Sequence, residues 1–233
     1  MSSPVAQAEL MRSLGRLVRG LSALFWGLPL ALVVSVQTAE TNLFLPFREA
    51  PPVIANALLY YGLHQLAFFQ PQERIWRNAL DRARLLALVT LGLSPFLYWW
   101  KMMPHELYFR LAVALLALAG LLFLFNLNFV LQRLAAMLPD ETIRLETRMF
   151  TNLNLYMLVA IVLLVASWAG LNALRPLPPS LVPVLYVLAR TGPMVLLLLV
   201  LMPLAMTMAM LWKMKETILA SLLAASSGPS QPG

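Results

Sequence analysis

The chain has 233 residues, of which 61% are hydrophobic and 12% charged, with a formal net charge of +7 and no cysteine. Soluble domains hold about 45 to 50% apolar and about 25% charged residues, so a soluble globular fold is excluded, and the lack of thiols removes disulfides, thiolate nucleophiles, Cys-ligated zinc and iron–sulfur centres. The basic excess lies beside apolar segments rather than in a domain of its own, which points to anionic lipid headgroups as the counter-charge and away from nucleic acid.

Asp, Glu, Lys and Arg are absent from six windows, 20–39, 50–72, 85–100, 111–132, 149–174 and 191–212. A crossing of the hydrocarbon core takes roughly 20 helical residues at about 1.5 Å each, so each window serves one crossing. In the shortest, 85–100, Arg84 and Lys101 reach the interfaces by snorkelling. The predicted fold is all-α: a polytopic bundle of six spans at about 21–38, 53–69, 85–100, 107–131, 151–174 and 193–212, with both termini cytoplasmic.

Residues 1–20 form the first predicted element, a basic amphipathic helix at the interface. Leu10, Leu14, Leu17, Val18 and Leu21 share one face, and Arg12, Arg16 and Arg19 take the other. The span that follows reads as an uncleaved anchor, because Gln37 stands where a signal-peptide cleavage site prefers a small residue. The next loop, Glu40–Pro52, carries Pro46, Pro51 and Pro52 and reads as an extended link.

The second span is the most polar, with Asn56, Tyr60, Tyr61, His64 and Gln65. Its inclusion is decided by the positive-inside rule. With it, 12 of the 17 Lys and Arg residues are cytoplasmic, leaving Arg48, Lys101, Arg110, Arg175 and Arg190 outside; without it the division is 7 against 10. A cytoplasmic helix over 71–84 then runs into span three, carrying Glu73–Arg77 and Arg77–Asp81 at i,i+4 spacing. Pro95 predicts a kink, and Trp99 and Trp100 mark an interface. Span four leads to a second cytoplasmic helix over 139–148 and so to span five. Pro176, Pro178, Pro179 and Pro183 make 175–183 an irregular link. Arg190-Thr-Gly-Pro193 is expected to divide 184–212 into an interfacial piece and span six. The segment 217–233 is a short C-terminal stretch whose Ser-, Gly- and Pro-rich end reads as disordered.

Three groups of residues invite a functional reading. Asn56, Tyr60 and His64, at i, i+4 and i+8, are a candidate pocket lining, the bland alternative being hydrogen bonding between helices. Asn126, Asn128, Asn152 and Asn154 fall near the cytoplasmic ends of spans four and five and form a candidate polar cluster. Residues two apart point to nearly opposite sides of a helix, so at most one of each pair faces a common partner. Arg74, Arg77, Arg82 and Arg84 make a candidate surface for a docked partner or lipid headgroups. The stripe Met202, Met206, Met210 and Met214 reads as packing rather than copper binding. Ala166 with Gly170 and Ala205 with Ala209 match the small-xxx-small pattern of close helix contact.

No P-loop, HExxH, GxSxG or carboxylate cluster is present, and no charge lies in the middle of any span. No catalytic residue, metal site or cofactor is therefore assigned. The expected role is that of a non-catalytic membrane subunit of a transporter or multi-protein assembly, with the bilayer's anionic headgroups and a soluble cytoplasmic protein as partners and the oligomeric state open. The layout resembles that of six-span ABC exporter permeases, whose cytoplasmic helices engage an ATPase, although no motif residue carries the likeness. The alternatives are a purely structural membrane protein or an intramembrane enzyme acting on a lipid or isoprenoid. The enzyme would have to draw on His64, Glu40, Glu49, His105 or Glu106. Arg-rich charge and short loops suit a bacterial cytoplasmic membrane.

Overall fold

The computed structural model describes residues 4–70, 72–137, 141–173 and 182–226, and every regular element among them is helical. Helix α1 (Pro4–Glu40) leads through a 3₁₀ turn at Leu45–Phe47 to α2 (Ala50–Leu66). Then come α3 (Arg74–Leu93), α4 (Phe96–Met102), α5 (Leu107–Met137), α6 (Glu141–Ala173) and α7 (Val182–Ser226). Residues 175–181 of the expected link 175–183, and the tail from 227 onward, lie outside the described residues, while 182 and 183 already belong to α7.

Five stretches are long and apolar enough to cross a membrane: Met11–Glu40, Arg74–Met102, Leu107–Met137, Leu145–Trp168 and Arg190–Ala220. The remaining expected span, α2, has 17 residues, about 26 Å of helix, and is not among the five. It begins where Pro51 and Pro52 occupy the first turn, whose N–H groups have no intrahelical acceptor in any case.

Proline acts differently in two places. At Pro95, where a kink is expected, the helical ladder is interrupted: α3 ends at Leu93, the Ser94 N–H donates to the Thr90 carbonyl at 2.9 Å, Ser94 and Pro95 keep helical dihedrals, and α4 starts at Phe96. At Pro193 the expected division is absent, for α7 runs unbroken from Val182 to Ser226. A helix that loses one hydrogen bond to proline keeps the rest, and in an apolar setting no water competes for them. The basic segment of α1, residues 74–84 of α3 and residues 141–148 of α6 likewise continue directly into the apolar stretches that follow them.

Contacts between helices define two ends of the bundle. At one, Lys101 Nζ donates to the Thr41 carbonyl, joining the last turn of α4 to the link between α1 and α2. At the other, α2 meets α3 through His64 and Arg84, the Arg16 guanidinium lies 4.5 Å over the Phe68 ring, and Lys213 pairs with Glu146. Helix α2 therefore connects the two ends. Trp76 closes the α2–α3 link by donating from Nε1 to the Phe69 carbonyl at 3.0 Å.

The core is concentrated toward the Arg-rich end. Leu17, Leu21 and Leu24 of α1, Leu63 and Leu66 of α2, Trp76 and Leu80 of α3, Leu127, Leu131 and Leu134 of α5, and Leu211 and Met214 of α7 are all essentially sealed there. Helices α1 and α2 approach most closely at Gly20 and Gly62: a Cβ on Gly20 would lie 2.8 Å from the Gly62 carbonyl oxygen, and one on Gly62 would lie 3.1 Å from that of Gly20. This is the close backbone approach that small residues permit between membrane helices. The pairs named from the sequence do not make it: Ala166, Ala205 and Ala209 are exposed and a Cβ on Gly170 would meet nothing.

Away from that core, apolar rows face outward. On α5, Leu111, Leu115, Leu118 and Leu122 form an exposed stripe beside the buried Ala112, Ala119 and Phe123; on α6, Leu155, Val159 and Val162 are exposed while Asn154 and Ile161 are buried. Exposed apolar rows of this length are rare on monomers in water and belong against lipid tails. Phe96, Tyr98, Trp99, Tyr108 and Phe109 cluster where α4 meets α5, with Trp99 stacked on Phe109 at 17° between ring planes. At the Arg-rich end Phe25 packs on Trp212, over which Lys215 sits at 5.4 Å. Two aromatic groups thus stand toward opposite ends, as in the belts of membrane proteins.

Candidate functional site

Of the four asparagines predicted to gather near the ends of α5 and α6, the structure brings together two. Asn128 is wholly buried and its Nδ2 donates to the Leu124 carbonyl at 2.8 Å and to Thr207 Oγ1 of α7 at 3.0 Å. Thr207 has a single hydroxyl proton and two acceptors in reach, the Pro203 carbonyl at 2.7 Å and Asn128 Oδ1 at 3.3 Å. Asn154 of α6 is 3% exposed and lines the same cleft as Asn128, yet neither its Oδ1 nor its Nδ2 meets a hydrogen-bonding protein group. Asn126 turns back to the Leu122 carbonyl at 2.9 Å, and Asn152 is exposed. One residue of each pair therefore faces the junction, as helical geometry requires of residues two apart. Thr207, the third polar member, was missed because a threonine among methionines carries no pattern of its own.

The cleft where these residues meet is lined by Leu121, Leu124, Phe125, Leu158, Ile161 and Val200 together with Asn128, Asn154 and Pro203. Its space is about 10 Å³ and is bounded by apolar atoms. Pro203 has no N–H, so the Leu199 carbonyl has no intrahelical donor at its usual position. The junction therefore concentrates hydrogen-bonding capacity within an apolar wall.

The predicted α2 face is divided among three settings. Asn56 is buried and donates to the Pro52 carbonyl at 2.8 Å, Tyr60 is half-buried against the core, and His64 is exposed. His64 joins the Arg-rich end instead. Arg84 places one guanidinium nitrogen 3.2 Å from His64 Nδ1 and 3.4 Å from the His64 carbonyl, and another 3.7 Å from Asp81. A guanidinium only donates, so Nδ1 is the acceptor in this contact. Arg84 is thus tied into the fold, and its Nε is buried without an acceptor. The other three arginines differ from it: Arg74, Arg77 and Arg82 are exposed and form no ion pair among the described residues. The expected i,i+4 pairs through Arg77 are absent; Asp81 turns to Arg84, three residues on, where a second hydrogen-bonded partner already holds the guanidinium.

A feature with no sequence signal lies between α6 and α7. The Glu146–Lys213 ion pair, half-exposed on both sides, borders a cavity of about 230 Å³ walled by Thr147, Phe150, Ala209, Met210 and Met214. The methionine stripe enters the core here, with Met210 and Met214 buried while Met202 remains exposed. Among the described residues no group of three or more His, Asp or Glu side chains is placed to hold a metal ion, and Glu40, His105 and Glu106 are exposed singly.

No protein-family model matches this chain, and neither a curated protein nor a solved structure shows significant similarity to it.

Proposed function

We propose that this integral membrane protein is the non-catalytic membrane subunit of a transporter or multi-protein assembly, crossing a bacterial cytoplasmic membrane six times with both termini inside. The observation that carries the reading is the arginine surface of α3. Arg74, Arg77 and Arg82 are exposed, without an ion pair among the described residues, on one side of the helix, while Trp76, Leu80 and Ala83 fasten its other side to the core. A rigidly seated row of exposed guanidinium groups suits phosphates and carboxylates of a headgroup or docked protein. Six crossings are supported by α2, which joins the two ends, and by the gathering of Arg12, Arg16, Arg19, Arg133, Arg148, Lys213 and Lys215 at the α3 arginine end.

The test is purification of the tagged protein in mild detergent, with mass spectrometry of stoichiometric partners, beside a variant carrying Arg74→Gln, Arg77→Gln and Arg82→Gln. Arg84 stays unchanged because it holds His64. A soluble protein recovered with the native chain and lost from the variant supports the reading. A chain that purifies alone, or a partner indifferent to the three changes, overturns docking through this surface.

A further inference from the structure

The cavity between α6 and α7 holds about 230 Å³, far more than the voids left in packed interiors, few of which exceed one water molecule. An engineered apolar cavity of about 150 Å³ already takes up benzene. Its walls are of two kinds. Thr147, Met210 and Met214 are buried, Phe150 is half-buried and Ala209 is exposed, and these give it a largely apolar lining; Glu146 and Lys213, each half-exposed, are the charged residues at its edge.

The sequence sets its height in the fold. Glu146 stands just before the charge-free window 149–174 and Lys213 just after 191–212, so the ion pair lies where both helices leave their apolar stretches. Phe150 and Ala209 are each four residues further in, about 6 Å along the helix. A ligand here meets charge at one end and apolar walls at the other. A lipid is divided in the same way.

The charges narrow the class of lipid. The ion pair is made through Glu146 Oε2 and one ammonium proton of Lys213, which leaves a carboxylate oxygen to accept and two N–H groups to donate. A fatty acid or an anionic lipid would satisfy Lys213 but set a second negative charge beside Glu146, and a cation would do the converse. A headgroup with both a phosphate and an ammonium meets both side chains and keeps the edge of the cavity neutral. A primary ammonium suits Glu146 better than a trimethylated one, which has no N–H to donate.

We propose that the α6–α7 cavity binds an ethanolamine phospholipid, its ammonium on Glu146, its phosphate on Lys213 and part of one acyl chain along Phe150, Ala209 and Met210. At roughly 30 Å³ for each methylene-sized group, the space takes about seven or eight carbons. The buried methionines, unbranched and adaptable, suit a chain without fixed shape. The site stands independently of any partner at the arginine surface and of the number of crossings.

The experiment is native mass spectrometry of the full-length protein in mild detergent, titrated separately with dioleoyl phosphatidylethanolamine, phosphatidylglycerol and phosphatidylcholine. One molecule of the ethanolamine lipid is expected to be held about fivefold more tightly than either of the others, the worth of one half-exposed charge pair. Glu146→Gln frees Lys213 and is expected to shift the preference to phosphatidylglycerol. No preference in the native protein, a native preference for phosphatidylglycerol or phosphatidylcholine, or a preference indifferent to Glu146→Gln overturns the proposal. Location is read on the native protein in phosphatidylcholine bilayers, with a photoactivatable diazirine on the acyl chain. Adducts at Phe150 and at 209–214 are expected to be enriched when an ethanolamine lipid carries the diazirine rather than a choline lipid. Equal labelling there by the two probes sinks the site.

Discussion

Alanine at Gly20 is expected to destabilise the protein, and the structure gives the size of the effect. The added Cβ would lie 2.8 Å from the Gly62 carbonyl oxygen, 3.1 Å from Gln65 Cβ and 2.3 Å from Leu66 Cδ1. The leucine tip can rotate aside, but the carbonyl belongs to helical backbone. Restoring a contact of about 3.5 Å would move α1 from α2 by more than half an ångström, roughly the gap at which packed atoms forfeit a quarter to a half of their attraction. Leu21, Leu24, Leu59 and Leu63 sit at that contact. Overpacking of this kind costs about 1 to 3 kcal/mol, partly offset by the gain of up to about 1 kcal/mol from replacing a helical glycine. Gly120 isolates the second effect, because a Cβ there meets nothing within 4 Å. Thermal unfolding in mild detergent, followed by tryptophan fluorescence, is expected to place Gly20→Ala below Gly120→Ala by about 2 to 12 °C, at roughly 2 to 4 °C per kcal/mol for a chain of this size. Equal midpoints would refute the close crossing of α1 and α2.

Other substitutions probe the remaining contacts. Asn128→Leu removes a partner from buried Thr207 and is expected to cost about 1 to 3 kcal/mol, whereas Asn128→Leu with Thr207→Val should recover much of the loss; strictly additive effects in a double-mutant cycle would contradict the pairing. Arg84→Gln is expected to lower the unfolding midpoint by the equivalent of about 1 kcal/mol, and Arg82→Gln to leave it unchanged; equal shifts for the two would deny Arg84 its anchoring role. The Glu146–Lys213 pair is half-exposed, so its coupling energy in a Glu146→Gln, Lys213→Met cycle should not exceed about 1 kcal/mol. A coupling of several kcal/mol would show that the pair is far better shielded than its exposure indicates.

Much of the architecture was legible because hydrocarbon leaves the backbone few choices. Charge-free windows set out five of the long apolar helices, and Pro95 marked the end of α3. Pro193 misled because local sequence does not record whether solvent is present to take up a freed carbonyl. The α2 face shows where helical spacing runs out. Each step of four residues drifts by about 40° around the helix, so His64 is turned about 80° from Asn56, enough to carry it from the bundle interior to an exposed position beside Arg84. The asparagine cluster was legible to the level of one residue from each pair, but choosing Asn128 and Asn154 needed the neighbouring helix. Gly20 and Gly62 lie 42 positions apart on separate helices, and no repeat announces their contact.

The six-crossing arrangement is tested most directly by single-site labelling, which the absence of native cysteine makes clean. Phe47→Cys, Gln72→Cys and His105→Cys each place one thiol at an exposed position in a link, and Glu216→Cys places one at an exposed position of α7 beyond the expected span six. Intact spheroplasts would then be treated with a membrane-impermeant maleimide. Six crossings with both termini inside predict labelling of Phe47→Cys and His105→Cys, with Gln72→Cys and Glu216→Cys reacting only after permeabilisation. Labelling of Gln72→Cys to the same extent as Phe47→Cys in intact spheroplasts would show that α2 does not cross, and would contradict the account.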